Sequence, residues 1–322
     1  MKKKTLFITT KNLDYLRNVQ EIELLKQDCD VHVIGAYDKS YPMRLIKVYL
    51  KLLFTSMKRI DDVFVGFAPQ LILPLWKWKF RGKKITIDFF ISLYDTMVFD
   101  RKKIKRSSVI AKILKKIDEI TIRYSDHIIA DTKEHGKYFT EEFFASPEKI
   151  EVLYLQADTE FYYPRKTEKP EKYRDSFVVL YFGSVLPLQG IDILLDAIRL
   201  LKDEKNIVFE VIGPINEKYQ KVESENVVYF QWLPQKQLAE HIAYADLCLA
   251  GHFNNNIMKA KRTIPGKAYI YHAMNKDMVL GDNPANHELY CEGDEGIYYV
   301  PMGDSKALAK KILEISENTT RK

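Results

Sequence analysis

Along most of the chain, short runs of apolar residues alternate with stretches in which apolar positions recur at helical spacing. Runs at residues 5–9, 31–34, 62–65, 85–89, 127–130 and 151–155 predict strands, because each is short and mostly apolar, and 5–9, 31–34, 62–65 and 127–130 end at Thr, Gly or Asp. Between them, 13–27, 43–54, 101–117 and 132–139 carry apolar residues three or four apart and predict helices, the last capped by Thr132. The strands are almost continuously apolar, as expected when helices cover both faces of a parallel sheet.

A polar segment rich in Pro, Lys and Glu, 162–175, reads as a linker, after which the rhythm resumes. Strands are expected at 177–182, 208–212, 227–230, 247–250, 278–280 and 297–300. Helices are expected at 191–201, 237–244, 267–274, 288–290 and 305–316. The fold class is therefore α/β, with two doubly wound domains: 1–163, 164–304, and a closing helix over 305–322 able to pack back on the first domain. Ligands of such sheets bind beyond the carboxyl ends of the strands, which places the expected site in a cleft between the halves.

Composition narrows the setting. Cys29, Cys248 and Cys291 lie far apart and are odd in number, which argues against a disulfide framework and points to a reducing cytosol. The longest run free of Asp, Glu, Lys and Arg is 16 residues, 176–191, broken by glycines and Pro187. A spanning helix needs about 20 apolar residues, so no span is expected. Lys2, Lys3 and Lys4 resemble a signal-peptide start, yet the apolar run behind them is too short, so export is not expected.

The net charge of +6 is unevenly placed: residues 39–116 hold 19 basic and 5 acidic side chains, a local +14. Arg44, Lys47 and Lys51 line one edge of an otherwise apolar helical pattern, and Trp76 and Trp78 sit among Lys77, Lys79 and Arg81. This pattern predicts docking of the first domain on an anionic membrane surface. No zinc module, RNP motif or basic heptad region accompanies the charge, so nucleic acid is not an expected partner.

The sharpest local motif spans 181–192, Tyr-Phe-Gly-Ser-Val-Leu-Pro-Leu-Gln-Gly-Ile-Asp: a strand, a loop bounded by Gly183 and Gly190, then a helix. Glycine admits an anion close to the backbone, and a helix N-terminus favours negative charge. This segment resembles the FxGxxxPxxGxDxLLxA signature in the second domain of retaining GT-B glycosyltransferases of family 4 (glycosyl transferases group 1). Leu194-Leu195-Asp196-Ala197, Val211-Ile212-Gly213, 226–234, Ala245-Asp246-Leu247, 264–269 and 276–280 continue the likeness in order, as do 126–132 and 157–164 in the first half.

The resemblance implies a GT-B fold and a nucleotide-sugar donor (UDP-, GDP- or dTDP-linked) bound by the second domain. It implies no required cofactor and no metal. By the same likeness Gly183, Ser184, Gln189, Gly213, Trp232, Leu233, Arg262, Thr263, Lys267 and Glu288 are the donor-binding candidates. Two departures stand out. Ser184 and Gln189 replace the family's usual Arg and Lys, and Arg262 and Ile270 replace its paired glutamates. The basic cluster Lys259, Lys261, Arg262 and Lys267 is therefore expected to hold the diphosphate, with Arg262 and Lys267 serving catalysis.

On the acceptor side, Thr10 and Gly66 follow strands. Ser92, Tyr94 and Asp95 form a polar stretch after another strand, with Asp95 the candidate base. Together these features predict a metal-independent, retaining hexosyltransferase in cell-envelope glycan synthesis. It would be peripheral on the cytoplasmic membrane face and use a lipid-linked or polysaccharide acceptor. A catalytically degenerate GT-B-fold partner or sugar-binding protein is the competing expectation, because of Ser184, Gln189 and the missing glutamates.

Overall fold

A computed structural model describes residues 2–320. Met1, Arg321 and Lys322, at the ends of the expected domain bounds, lie outside the described residues. The chain divides into two compact units, Met1–Gln156 and Ala157–Lys322. The division falls seven residues before the expected 163/164 boundary.

The first unit runs β1 (Lys3–Ile8), α1 (Leu16–Asp28), β2 (Cys29–Ile34), α2 (Tyr41–Phe54), β3 (Asp62–Val65), α3 (Leu73–Trp76), β4 (Lys84–Asp88), α4 (Leu93–Asp95), α5 (Val109–Tyr124), β5 (His127–Ala130), α6 (Lys133–Phe143) and β6 (Ile150–Val152). Its six strands are all parallel, in the order β2-β1-β3-β4-β5-β6. Leu6, Ile8, Val63, Val65, Ile85 and Ile87 point to the face covered by α2, α3 and α5. Phe7 and Phe64 point to the other, against Ile22 and Leu25 of α1. Covering both faces explains why these strands are apolar without a break.

The helix expected from 101 begins instead at Val109. Ser108 accepts from the Ala111 amide and caps it there, while the five basic residues between 101 and 106 stay outside the helix. Thr132 caps α6 as expected, accepting from the His135 amide. The sequence pattern gave no sign of α3 or of the π-helical turn Thr96–Asp100.

The second unit runs β7 (Phe177–Phe182), α7 (Ile191–Leu200), β8 (Ile207–Ile212), β9 (Val227–Phe230), α8 (Gln235–Tyr244), β10 (Leu247–Gly251), α9 (Met258–Arg262), α10 (Gly266–Ala273), β11 (Met278–Gly281), β12 (Ile297–Val300) and α11 (Ser305–Thr320). Its sheet, also all parallel, is ordered β12-β11-β10-β7-β8-β9. The strand order therefore reverses between β7 and β10, and a doubly wound sheet binds ligands at the carboxyl ends of such a pair. In the first unit the corresponding switch lies between β1 and β3. The closing helix is not a separate segment. Leu308, Ile312 and Ile315 of α11 bury in one core with Leu194, Leu195 and Ile198 of α7, making α11 an integral layer of the second unit.

Candidate functional site

At the switch point of the second unit, strand ends close on one another through glycine. Gly183 (φ +146°) follows β7 and Gly213 (φ +121°) follows β8. A Cβ on Gly213 would stand 2.4 Å from the Gly183 carbonyl oxygen, so no other residue fits there without moving the loop. From Gly183 the chain passes an exposed Ser184 and a tight turn at Pro187–Gln189. It then enters α7 through Gly190 (φ +70°).

Lys267 reaches into this corner from the first turn of α10. It is 6% exposed, donates to Gln189 Oε1 at 2.8 Å, and holds Nζ 3.8 Å from the centre of the buried Tyr181 ring. Nζ also lies 3.2 Å from where a Gly183 Cβ would be. No carboxylate among the described residues pairs with it, and burial holds its pKa well below the usual lysine value. An amide oxygen and an aromatic face are weak compensation for a desolvated ammonium.

Beside it stands His252, 3% exposed, directly after β10. Burial, then the Lys267 charge, pushes its pKa down to about 3, so the ring is neutral. Its Nδ1 has no hydrogen-bond partner among the described residues. The sequence reading did not pick out His252; a histidine after the Gly251 that ends an apolar strand was the available signal.

The remaining donor candidates lie on separate elements of the second unit. Arg262, half-buried, ends α9, and Thr263 is fixed by donating to the Lys259 carbonyl at 2.9 Å. Trp232, 55% exposed, and Leu233 follow β9. Glu288 sits on the turn Asn286–Glu288, where Asn286 donates to the Gly281 carbonyl at 2.8 Å and braces the end of β11. The structure thus brings Gly183, Gln189, Gly213 and Lys267 into direct proximity, adds His252, and leaves the Trp232 ring open.

In the first unit the residues read for the acceptor are mostly interior. Thr10 is buried, its hydroxyl donating to the Phe67 carbonyl at 2.9 Å and lying 2.9 Å from the Tyr41 hydroxyl. Gly66 is packed against Phe7 and Glu21. Ser92 and Tyr94 are buried around Asp118 of α5. That carboxylate accepts from Ser92 Oγ (2.7 Å), the amides of Tyr94 (2.9 Å) and Leu93 (3.2 Å), and Gln70 Nε2 (2.9 Å). Desolvation pushes its pKa up to about 6, less far than burial alone because these donors favour the anion.

Ser92 also caps α4 by accepting from the Asp95 amide at 2.9 Å, and Asp95 itself is 2% exposed. These side chains shape the loop rather than line an open surface.

The basic edge expected on α2 is corrected too. Arg44 is buried, donating to the Asp38 and Thr10 carbonyls and to Asn12. Lys47 pairs with Asp38 at 2.6 Å and Lys51 donates to the Gly35 carbonyl at 2.7 Å. The apolar residues Met43, Ile46, Leu50, Leu53 and Phe54 are exposed alongside Lys47 and Lys51. No helix among the described residues is long and apolar enough to cross a membrane.

Comparison with known proteins agrees with this architecture. The chain is 25% identical, over 210 residues, to an uncharacterized 41.2 kDa protein in the cps region of Klebsiella pneumoniae; the match covers 64% of this chain and 57% of that relative. Among solved structures it resembles sucrose-phosphate synthase from Thermosynechococcus elongatus (TM-score 0.70, 12% identity, 99% of this chain and 91% of that one). It also resembles Anabaena HepE in complex with UDP and glucose (TM-score 0.62, 15% identity, 99% and 91%). Residues 176–318 match the family model described as Glycosyl transferases group 1. That match takes in most of the second unit, and the chain as a whole carries the GT-B fold.

Proposed function

We propose that this chain is a retaining, family 4-like glycosyltransferase of cell-envelope glycan synthesis. In this reading the second unit holds a nucleotide sugar and the first takes a lipid-linked or polysaccharide acceptor. The observation that carries it is Lys267, a buried cation without an acid, at the switch point of a sheet whose residues match a glycosyltransferase family. Burying an unpaired charge destabilises a fold, and such groups concentrate where function uses them. A diphosphate supplies the missing anion. Gly183 admits it to the backbone, the N-termini of α7 and α10 favour its charge, Arg262 adds donors, and Thr263, tied to the Lys259 carbonyl, holds the turn between α9 and α10.

Trp232 is assigned to the base, with Leu233 beside it, and Glu288 to a donor hydroxyl. The relatives support a UDP-sugar, since HepE was solved with UDP-glucose, and a cps-region relative supports a capsule-type glycan product.

Chemically, fixed positive charge at Lys267 and Arg262 stabilises the diphosphate as the sugar–phosphate bond breaks, without calling on a metal. The acceptor hydroxyl attacks from the face the diphosphate leaves, so the anomeric configuration is kept. With Asp95 enclosed, the leaving phosphate oxygen takes the hydroxyl's proton. Melting curves with UDP, GDP and dTDP and their sugars test the reading. A ligand at 100 times its Kd stabilises by about 2.7 kcal/mol. One of the three series should do so and its sugar should be hydrolysed or transferred to a membrane extract; no shift with any nucleotide would favour a degenerate partner protein.

The same reading places the first unit on an anionic membrane. The outward stripe Met43, Ile46, Leu50, Leu53 and Phe54 (82% exposed) continues through Tyr49, whose ring centre lies 5.8 Å from that of Trp76, to the exposed Trp78. On α5, exposed Val109, Ile110 and Ile113 follow the exposed Arg101, Lys102, Lys103, Lys105 and Arg106. Each such cation adds about 1 kcal/mol near an anionic surface. Leu50→Glu/Phe54→Glu should lose co-sedimentation with anionic vesicles, and salt should weaken the parent. Equal binding to neutral vesicles, or an unaffected double variant, would contradict the docking.

A further inference from the structure

At the carboxyl ends of β1 and β3, the switch point of the first sheet, three half-buried aromatic side chains meet. Phe67 and Phe90 have ring centres 5.6 Å apart, Tyr15 and Phe67 5.8 Å, and Tyr15 and Phe90 6.4 Å. Lys11 Nζ lies 5.5 Å from the centre of the Tyr15 ring and 5.3 Å from that of Phe67. Below Phe90, at 5.5 Å, is the Arg17 guanidinium. Arg17 is already neutralised: it grips Asp88 with Nε at 2.7 Å and Nη2 at 3.0 Å, and it is buried. Lys11 is different, being half-exposed and forming no ion pair among the described residues.

A set of partly open rings at the ligand-binding edge of a doubly wound sheet, with an uncompensated ammonium at its rim, has a definite chemical complement. The C–H face of a pyranose packs on aromatic rings, and an anionic substituent on that sugar pairs with the lysine. We infer that Lys11, Tyr15, Phe67 and Phe90 form a subsite for an acidic sugar of the acceptor, a pyranose bearing a carboxylate or phosphate. This deepens the transferase reading and rests on it for the word acceptor, but the binding chemistry stands on the first unit alone. Phe67 and Phe90 recognise the ring, Tyr15 holds both in place, and Lys11 selects the charge.

Titrations of the full chain with methyl β-D-glucuronide, methyl β-D-glucoside and glucose 6-phosphate, followed by ligand NMR, test the assignment. The parent should bind the glucuronide or the phosphate about 5- to 10-fold more tightly than the glucoside, the scale of one partly exposed charged contact. The arm that binds better identifies the anion. Lys11→Gln should erase the preference, bringing the charged ligands down to the affinity of the glucoside. Phe67→Leu and Phe90→Leu, which keep apolar bulk, should weaken all three ligands. Equal binding of charged and neutral sugars, a preference that survives Lys11→Gln, or no binding at all would overturn the subsite. UDP binding measured on the same samples separates the two proposals: its loss with the sugar preference intact would refute the donor assignment and leave this subsite standing.

Discussion

Replacing Lys267 with Met is expected to raise the melting temperature while weakening nucleoside diphosphate binding by about 30-fold or more, the low end for removing one partner of a buried charge pair. The two effects have one origin. Lys267 is desolvated, held by Gln189 and the Tyr181 ring, and has no carboxylate partner among the described residues. Methionine keeps the length and apolar stem of the side chain and removes the charge. A lysine that merely supported the fold would lose stability on the same change, so the opposite signs are diagnostic.

The pH dependence follows from the lowered pKa. The unfolded chain keeps the proton up to about 10.4, whereas the folded chain sheds it earlier, so the unfolded state binds more protons in between. Stability from this group therefore rises with pH across that alkaline window, and Lys267→Met should lack the rise. Urea unfolding of both proteins at neutral and alkaline pH, with UDP calorimetry alongside, reads every one of these outcomes.

Asp118→Asn is expected to destabilise the first unit by about 2–4 kcal/mol at pH 7, in the upper range for single substitutions. Four donors converge on this carboxylate, from Gln70, Ser92, Leu93 and Tyr94. An amide of the same shape presents one acceptor oxygen and turns an NH2 group toward donors, so at least two of the four lose their partner. The loop from Ile91 to Asp95 should then exchange its amide hydrogens faster, while UDP affinity, a property of the second unit, stays the same. Urea denaturation and hydrogen exchange check this; a variant as stable as the parent would mean that the loop is held by its other contacts.

The strands at 62–65, 127–130, 177–182, 227–230 and 297–300 have the bounds that apolar runs predict, because a strand covered on both faces leaves an unbroken local signal. The glycine loop at 183–190 was legible for a similar reason: its backbone demands are met by residues adjacent in sequence. Lys267 was found as one of a basic group, but its isolation from any acid was not visible, since that depends on which elements pack around it. His252 was missed because a single histidine carries no pattern.

Arg44 was misread because helical spacing places residues on faces without saying which face the protein covers. Val48 and Leu52 turn α2 so that its arginine goes inward and its larger apolar stripe outward. Ser92 and Tyr94 were read as acceptor contacts, and their burial around Asp118 was not visible because Asp118 lies 24–26 residues further along the chain.

The central claim is that Lys267 is the counter-ion of the donor diphosphate, and proton-linked calorimetry tests it most directly. UDP is titrated into the protein at mildly alkaline pH in buffers of different ionisation enthalpy. Burial lowers the proton affinity of Lys267 and an arriving phosphate raises it again, so the parent should take up protons on binding UDP and bind more weakly as pH rises. Lys267→Met should take up none and bind far more weakly. Binding without proton uptake in the parent, at an affinity that Lys267→Met retains, would contradict the account.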